Sequence, residues 1–337
     1  MPNPPQSDFP KLMEMARGFQ VTKVFLVAVD LSLFDYLEQP ATAPDLAPRL
    51  HVNPRALEIL LNALCSLDLL LKEGASFKNS PTASRYLVSG REDYRGAIFR
   101  HIHHTWRGWS DLEETVVTGV PPERDPSHWV DAHPESRQEE MRDFIWGMHA
   151  NAREVAPDVA ALLDLTKARR LLDLGGGPGT YAISFVQANA DLRATVFDLP
   201  GPLEITRENI ARHNLSSRID TKAGNFLKDA IGQGYDFIWI SHILHSHDED
   251  QCRLIIGKAV KALAPNGRLA IQDFYLNDDG TTPPGAALFS VHMLAVTPHG
   301  RAYKFQEVAA WMQAAGLREP THRRVRPDVS FLLADKS

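Results

Sequence analysis

The sequence predicts a two-part α/β protein: a mostly α-helical first half, then a mainly parallel sheet that ends in an antiparallel hairpin. Three observations predict it. At 337 residues the chain exceeds one ordinary domain and fits two. From Arg169 onward, short apolar runs alternate with helical segments, which calls for a parallel sheet covered on both faces. Before that point the apolar residues recur at helical spacing instead. The expected domains are therefore residues 1–165 and 166–337.

Taken in order, Lys11 to Glu38 carries Leu12, Met15 and Phe19, then Val24, Phe25, Val27, Ala28, Leu31 and Phe34, an apolar stripe assigned to the core. Thr42 opens a short helix, and Asn53-Pro54 supplies a cap and a first-turn proline for a helix over 55–67. Leu69 to Glu73, Gly74-Ala75 and Ser76 to Lys78 read as a hairpin, so residues 42–80 have a winged-helix pattern. Tyr94 to Gly119 is expected as one helix and Pro121 to Pro134 as a loop; helix resumes over 135–165 with Glu139, Phe144, Met148 and Val155. In the second half the expected strands are 171–174, 194–197, 218–222, 237–240 and 269–273. Helices are expected over 180–188, 202–213, 249–263 and 305–315, and a last hairpin pairs 322–325 with 330–333 across Pro327-Asp328.

Charge and composition remove several functions. With 36 Lys and Arg against 42 Asp and Glu, the chain is not a general polyanion binder. The candidate recognition helix, Asn53 to Leu67, holds only Arg55 as a base-reaching cation among Leu57, Ile59, Leu60, Leu61 and Leu64, so it reads as a packing element and no nucleic-acid partner is expected. The best apolar run, Val24 to Leu33, is broken by Asp30 and is too short for a membrane. The start lacks a secretory pattern, and Cys65 and Cys252 form no disulfide framework, so a soluble, cytoplasmic protein is expected. Fourteen histidines stand out, six of them in the clusters His101/His103/His104 and His242/His245/His247.

The segment Asp173-Leu-Gly-Gly-Gly-Pro-Gly179 lies between an expected strand and helix, where a backbone of glycines passes beneath a ligand without side-chain collision. Asp198 ends the next strand and can accept both hydroxyls of a ribose. These features fit a nicotinamide dinucleotide or another adenosine cofactor. The dinucleotide pattern, however, wants its last glycine where this chain has Thr180, and the terminal hairpin departs from the usual dinucleotide-binding sheet; an NAD-dependent oxidoreductase is disfavoured.

On Leu171-Leu-Asp-Leu-Gly-Gly-Gly-Pro-Gly, Phe197-Asp-Leu-Pro, Gly224-Asn-Phe, His242-Ile-Leu-His245 with Asp248-Glu-Asp-Gln-Cys, and Ala264-Pro-Asn-Gly-Arg-Leu, nearly the whole chain resembles the class I S-adenosylmethionine-dependent small-molecule O-methyltransferases with an N-terminal winged-helix dimerisation domain. The resemblance implies a Rossmann-like, seven-stranded methyltransferase sheet and a homodimer whose first domain roofs the pocket. It implies S-adenosyl-L-methionine as cofactor, with Gly175 and Gly177 along its methionine part and Asp198 on the ribose. Phe226 would stack on adenine and Asn225 would approach the adenine amino group; Asp173, Leu199, Gly224 and Ser241 complete the wall.

The same resemblance places a general base at His245, the histidine of a Leu-His-Asp-Trp sequence, with Asp273 orienting it. A histidine near neutral pKa suits deprotonation of a hydroxyl. Here Ser246 and His247 replace the Asp and Trp, and the second orienting carboxylate falls on Ala302. That departure leaves room for a C- or S-methyltransferase acting on a small carboxylic acid such as an α-keto acid. No metal is expected in the main reading; if this alternative used one, two histidines, such as His245 and His292, with Asp273 or Asp248 would hold it. A regulatory or merely cofactor-binding protein is the reading from another class. Substrate-wall candidates are His104 and Trp106 with Trp109, Met148, His242, His292, and Arg301 with Tyr303, the arginine as a carboxylate partner.

Overall fold

The structure, a computed structural model, describes residues 8–122, 135–327 and 329–337. The chain forms two compact units that part between His104 and Thr105. The helices of 105–165 therefore cluster with the sheet and not with the first unit, whereas the sequence predicts a boundary at 165.

In the first unit, α1 (Phe9–Asp30) and a 3-10 turn (Leu33–Tyr36) precede β1 (Ala41–Thr42), α2 (Ala43–Leu50), α3 (Pro54–Ser66), β2 (Leu70–Glu73), β3 (Ser76–Asn79), α4 (Pro81–Tyr86) and α5 (Gly96–His104). Local chemistry sets the starts. Thr42 and Asp45 form a capping box, and Asn53 Oδ1 accepts from Ala56 N at 3.0 Å ahead of Pro54. The strands pair antiparallel in the order β1-β3-β2, giving the expected wing. Val29, Leu33, Phe34, Leu46, Leu57, Leu61, Leu64 and Phe77 form one buried cluster. The expected core stripe of α1 is corrected in its first half: Leu12, Met15 and Phe19 are 60%, 70% and 58% exposed.

The second unit opens with α6 (Trp106–Ser110), α7 (Leu112–Thr118), α8 (Glu135–Ala152) and α9 (Ala156–Leu162). The single helix expected over 94–119 is thus three. Asp111 N–H, shared at 3.2 Å between the carbonyls of Arg107 and Gly108, ends α6 with a tightened turn. Residues 123–134 of the expected loop, and Asp328 of the last turn, lie outside the described residues. Then follow β4 (Arg170–Leu174), α10 (Thr180–Ala188), β5 (Arg193–Asp198), α11 (Pro200–Arg212), β6 (Ile219–Ala223), β7 (Tyr235–Ser241), α12 (Glu249–Ala262), β8 (Leu263–Gln272), α13 (Pro284–Val296), α14 (Phe305–Ala314), β9 (Thr321–Arg326) and β10 (Val329–Asp335).

The seven strands run in the order β6-β5-β4-β7-β8-β10-β9, with β10 antiparallel to both neighbours and the rest parallel. Period-two alternation puts Leu172, Leu174, Ile238 and Ile240 into a cluster with α12 and α14, while Leu171, Phe237 and Trp239 face α9 and α10. The order reverses between β4 and its neighbours β5 and β7. That switch point is where an open α/β sheet leaves a crevice for a ligand. The register aligns Leu174 with Phe197 and with Ile240, and Ser241 with Gln272, so Gly175, Asp198, His242 and Asp273 emerge side by side. Among the described residues no helix is long and apolar enough to cross a membrane.

Candidate active site

Gly175 and Gly177 stand at φ +69° and +48°, a region in which glycine alone is unstrained. Gly175 N donates to Phe197 O at 2.8 Å, tying the loop to β5. A Cβ on Gly175 would fall 2.4 Å from Ile243 Cδ1 and 3.5 Å from Phe226 Cε1, whereas one on Gly177 would stand in open space, 3.9 Å from Ile145 Cδ1 of α8. Asp198 holds the loop with both oxygens: Gly177 N donates to Oδ2 and Leu199 N to Oδ1, each at 2.7 Å. Burial pushes the Asp198 carboxyl up to about 6 against the pull of those two N–H groups.

Asp173 lies below the loop and not in it. It is buried; Ala182 N donates to its Oδ2 at 3.3 Å, and a Cβ on Gly176 would come within 2.6 Å of its Cγ. Burial pushes this carboxyl up to about 7. Asp173 therefore props the loop from beneath. Asn225 Oδ1 accepts from Leu227 N at 2.9 Å and closes its own turn, which leaves one lone pair for the adenine contact that the resemblance implies. Gly224 is packed so closely that a Cβ would meet Phe197 Cζ at 2.6 Å, and Ser241 Oγ is buried beside the Tyr181 hydroxyl.

An adenosine sulfonium fits this set of residues. There is an aperture at Gly177, a carboxylate at Asp198 for two hydroxyls, the Phe226 ring beside the loop, and a buried hydroxyl at Ser241.

Past β7 the chain makes a 3-10 turn, Leu244–Ser246, which carries the buried His245 back against Asp273 at the end of β8. His245 N donates to Asp273 Oδ2 at 3.2 Å, and Nδ1 lies 2.6 Å from Oδ1. Burial alone would push the Asp273 carboxyl up. The charge of His245 and its hydrogen bond, with His242 and Phe274 N–H, hold it below the usual carboxylate range. A carboxylate bonded to Nδ1–H leaves the lone pair on Nε2, the tautomer a general base needs. Among the described residues His242, His245 and Asp273 have donor atoms within 4.8 Å of one another; His292 is outside that group. Within that group His245 and Asp273 are joined at 2.6 Å.

The remaining predicted residues separate into those brought to this pair and those not. α13 supplies Phe289, edge-on to His245 with centroids 4.8 Å apart, and His292. Phe274 packs on Phe289 at 4.0 Å and on His242 at 4.6 Å. Trp109 Nε1 donates to His292 Nδ1 at 3.1 Å, and a Cβ on Gly108 would meet Ala295 O at 2.8 Å, so α6, which Trp106 opens, lies tight on α13. Met148 is half-buried on α8, one turn from Ile145, and His149 Nδ1 lies 2.9 Å from Thr180 Oγ1, fastening α8 to the start of α10.

His104 belongs to the first unit, where it is exposed at the end of α5, while His103 Nδ1 lies 3.3 Å from Asp30 Oδ1 in α1. His247 turns away from the pair: Nδ1 lies 3.0 Å from Gln251 Oε1, and the ring packs edge-on to Phe226. Arg301 as a free carboxylate partner is corrected. Glu307 accepts from it at 2.8 and 3.3 Å, and its guanidinium covers the Tyr303 ring at 4.2 Å. Ala302 is buried in an apolar cluster with Leu276 and Ala286; the residue against His245 is Gly300, where a Cβ would fall 2.4 Å from His245 O. Phe274 and Phe289 were missed, although each had a signal. Phe274 follows the orienting carboxylate, and Phe289 precedes His292 by one helical turn.

Known proteins match this chain along its length. A family model described as "O-methyltransferase domain" covers residues 109–318 and one described as "O-methyltransferase dimerisation domain" covers 13–89. The 3-hydroxy-5-methyl-1-naphthoate 3-O-methyltransferase of Streptomyces sahachiroi is 34% identical over 319 residues, covering 94% of this chain and 92% of that protein. The acetylserotonin O-methyltransferase of Gallus gallus is 30% identical over 331 residues and 94% of each chain. The solved structure of an O-methyltransferase family protein from Burkholderia thailandensis superposes with a TM-score of 0.84 over 98% of each chain at 29% identity. With a glycine cradle that fits an adenosine sulfonium and a sheet that ends in the expected hairpin, the chain belongs to the S-adenosylmethionine-dependent O-methyltransferases, enzymes that methylate small molecules.

Proposed function

We propose that the enzyme methylates a hydroxyl group on a flat aromatic molecule, with His245 as base and Asp273 as the group that orients it. The observation that carries this is the buried 2.6 Å contact between His245 Nδ1 and Asp273 Oδ1 at the strand ends that also present the glycine loop. Bound S-adenosylmethionine supplies an electrophilic methyl group. His245 Nε2 takes the hydroxyl proton as the oxygen attacks. Phe274, Phe289 and the His292–Trp109 pair provide flat apolar walls that align a ring and keep water out. Both relatives quoted above are named for aromatic acceptors, a hydroxynaphthoate and acetylserotonin. Incubation with methyl-labelled cofactor and a panel of phenols, naphthols, keto acids, thiols and amines tests the reading. Label should appear on phenolic or naphtholic oxygen; transfer to carbon or sulfur alone would overturn it.

The enzyme works as a homodimer in this reading. Leu12, Met15 and Phe19 present an exposed apolar stripe at helical spacing on α1, and the last two lie in the matched dimerisation region. Burying each such side chain is worth about 2 kcal/mol. Met15→Asp with Phe19→Asp should convert the sedimenting species from dimer to monomer with the helical spectrum kept. An unchanged dimer would show that this stripe is not the interface.

A further inference from the structure

His242 is a non-glycine residue held at φ +56°, at the point where β7 gives way to the His245 turn. Such a conformation is uncommon and persists where surroundings enforce it. The enforcement is visible here. His242 N donates to Gln272 O at 2.9 Å, and Gln272 Nε2 lies 3.0 Å from His242 Nε2 and 2.8 Å from Tyr181 Oη. Tyr181 and Gln272 are buried. The amide thus has one N–H for the tyrosine oxygen and one for the imidazole, and His242 Nε2 must be the accepting nitrogen. Its proton then sits on Nδ1, which is out of solvent, has no hydrogen-bond partner, and lies 3.8 Å from Asp273 Oδ1.

Two arguments give the same tautomer. In the present orientation one amide oxygen and the His242 Nδ1–H lack hydrogen-bond partners, whereas reversing the Gln272 amide would strand both of its buried N–H groups, one donor more. It would also turn a nitrogen lone pair toward a carboxylate. With Nδ1–H facing Asp273, the contact is an attractive dipole at a distance too long for a hydrogen bond, in a buried site where such fields act strongly. Burial pushes the His242 pKa down to about 4, so the ring stays neutral.

We propose that His242 is a positioning residue, a neutral imidazole locked by Gln272 and Tyr181 whose Nδ1–H steadies the Asp273 carboxylate in the orientation that serves His245. This rests on the reading of His245 and Asp273 as the base pair. It assigns His242 to the support of that pair and not to the substrate wall. It also supplies a second polar group near Asp273, where Ala302 offers none.

Two variants of the full-length enzyme separate this role from a backbone effect, because glycine and asparagine both tolerate positive φ. His242→Gly removes the donor. His242→Asn keeps an N–H at the reach of Nδ1. With an acceptor identified in the label panel, kcat should fall about tenfold in His242→Gly with KM for both substrates nearly unchanged, and His242→Asn should recover most of it. Nitrogen-15 NMR of histidine-labelled wild-type enzyme should show His242 protonated on Nδ1 and bare on Nε2. An Nε2–H tautomer, equal rates in the two variants, or an effect confined to KM would overturn the proposal. Should His245→Ala keep wild-type kcat, the base-pair reading fails whatever the tautomer of His242; should it be inactive while His242→Gly is not, this inference alone fails.

Discussion

Replacing His245 with alanine should lower kcat by about 10²–10⁴, the range associated with a lost general base, while calorimetric affinity for S-adenosylmethionine stays essentially the same. The separation follows from placement. His245 sits on the 3-10 turn after β7 and bonds to Asp273, whereas the loop fixed by Asp198, Gly175 and Gly177 is built from β4 and β5 and makes no hydrogen bond to the imidazole. A hydroxyl acceptor at neutral pH keeps its proton unless a base is within reach, and Nε2 is the nitrogen of His245 that the Asp273 contact leaves open. Single-turnover label transfer measures the step directly. A rate within about threefold of wild type, a difference of well under 1 kcal/mol, would remove His245 from the chemistry.

The second large effect concerns stability. Asp173→Asn should stabilise the free enzyme at pH 8 and leave it nearly unchanged near pH 4. Burial pushes the folded-state carboxyl up to about 7 from its ordinary 3.8, so the native protein binds this proton more tightly than the unfolded chain does. The stabilising contribution of the protonated acid is then complete below the unfolded value and is lost as pH rises through about 7. At 1.36 kcal/mol per unit the loss by pH 8 is on the order of 4 kcal/mol. An asparagine carries no charge at any of these pH values and still offers an oxygen to Ala182 N–H. Urea unfolding of both proteins between pH 4 and pH 8 should show a gap that opens with pH. Parallel curves would mean that Asp173 is ionised in the native state. Asp198, shifted the same way to about 6, lowers both curves as pH rises, and its charge adds to the upward push on Asp173 that the variant removes.

The sheet could be read from the sequence because its signals are local. Leu171 to Leu174 and Phe237 to Ile240 are apolar runs broken only by Asp173, and Asn53-Pro54 marks a helix start that the structure keeps, Asn53 Oδ1 accepting from Ala56 N at 3.0 Å. Less legible was any residue whose role depends on a distant partner. Leu12, Met15 and Phe19 have the spacing of a core stripe, yet whether a stripe is covered by its own chain or by another is not encoded in period. Arg301 reads as available in the sequence, but Glu307, six residues later in the first turn of α14, takes it.

The site divides along the same line. That His245, Asp273, Asp198 and the glycines come together could be read because motif and strand end coincide. The tautomer of His242 could not, since it is set by Gln272 and Tyr181 from two other elements. Asp173 was read as facing the ligand because sequence adjacency to the loop says nothing of depth.

The contact between Gly108 and Ala295 O bears on how such an enzyme could change its diet. The strip from Trp106 to Ser110 sits so close to α13 that the indole of Trp109 reaches His292, yet neither segment contributes to the loop of residues 173–179 or to Asp198. On the proposed reading, the choice of acceptor and the handling of the methyl donor are written in separate stretches of one compact unit. A lineage could exchange Trp109, His292 or Phe289 for residues of other bulk and explore new acceptors without rebuilding the donor site, provided residue 108 stays small enough for the two helices to touch.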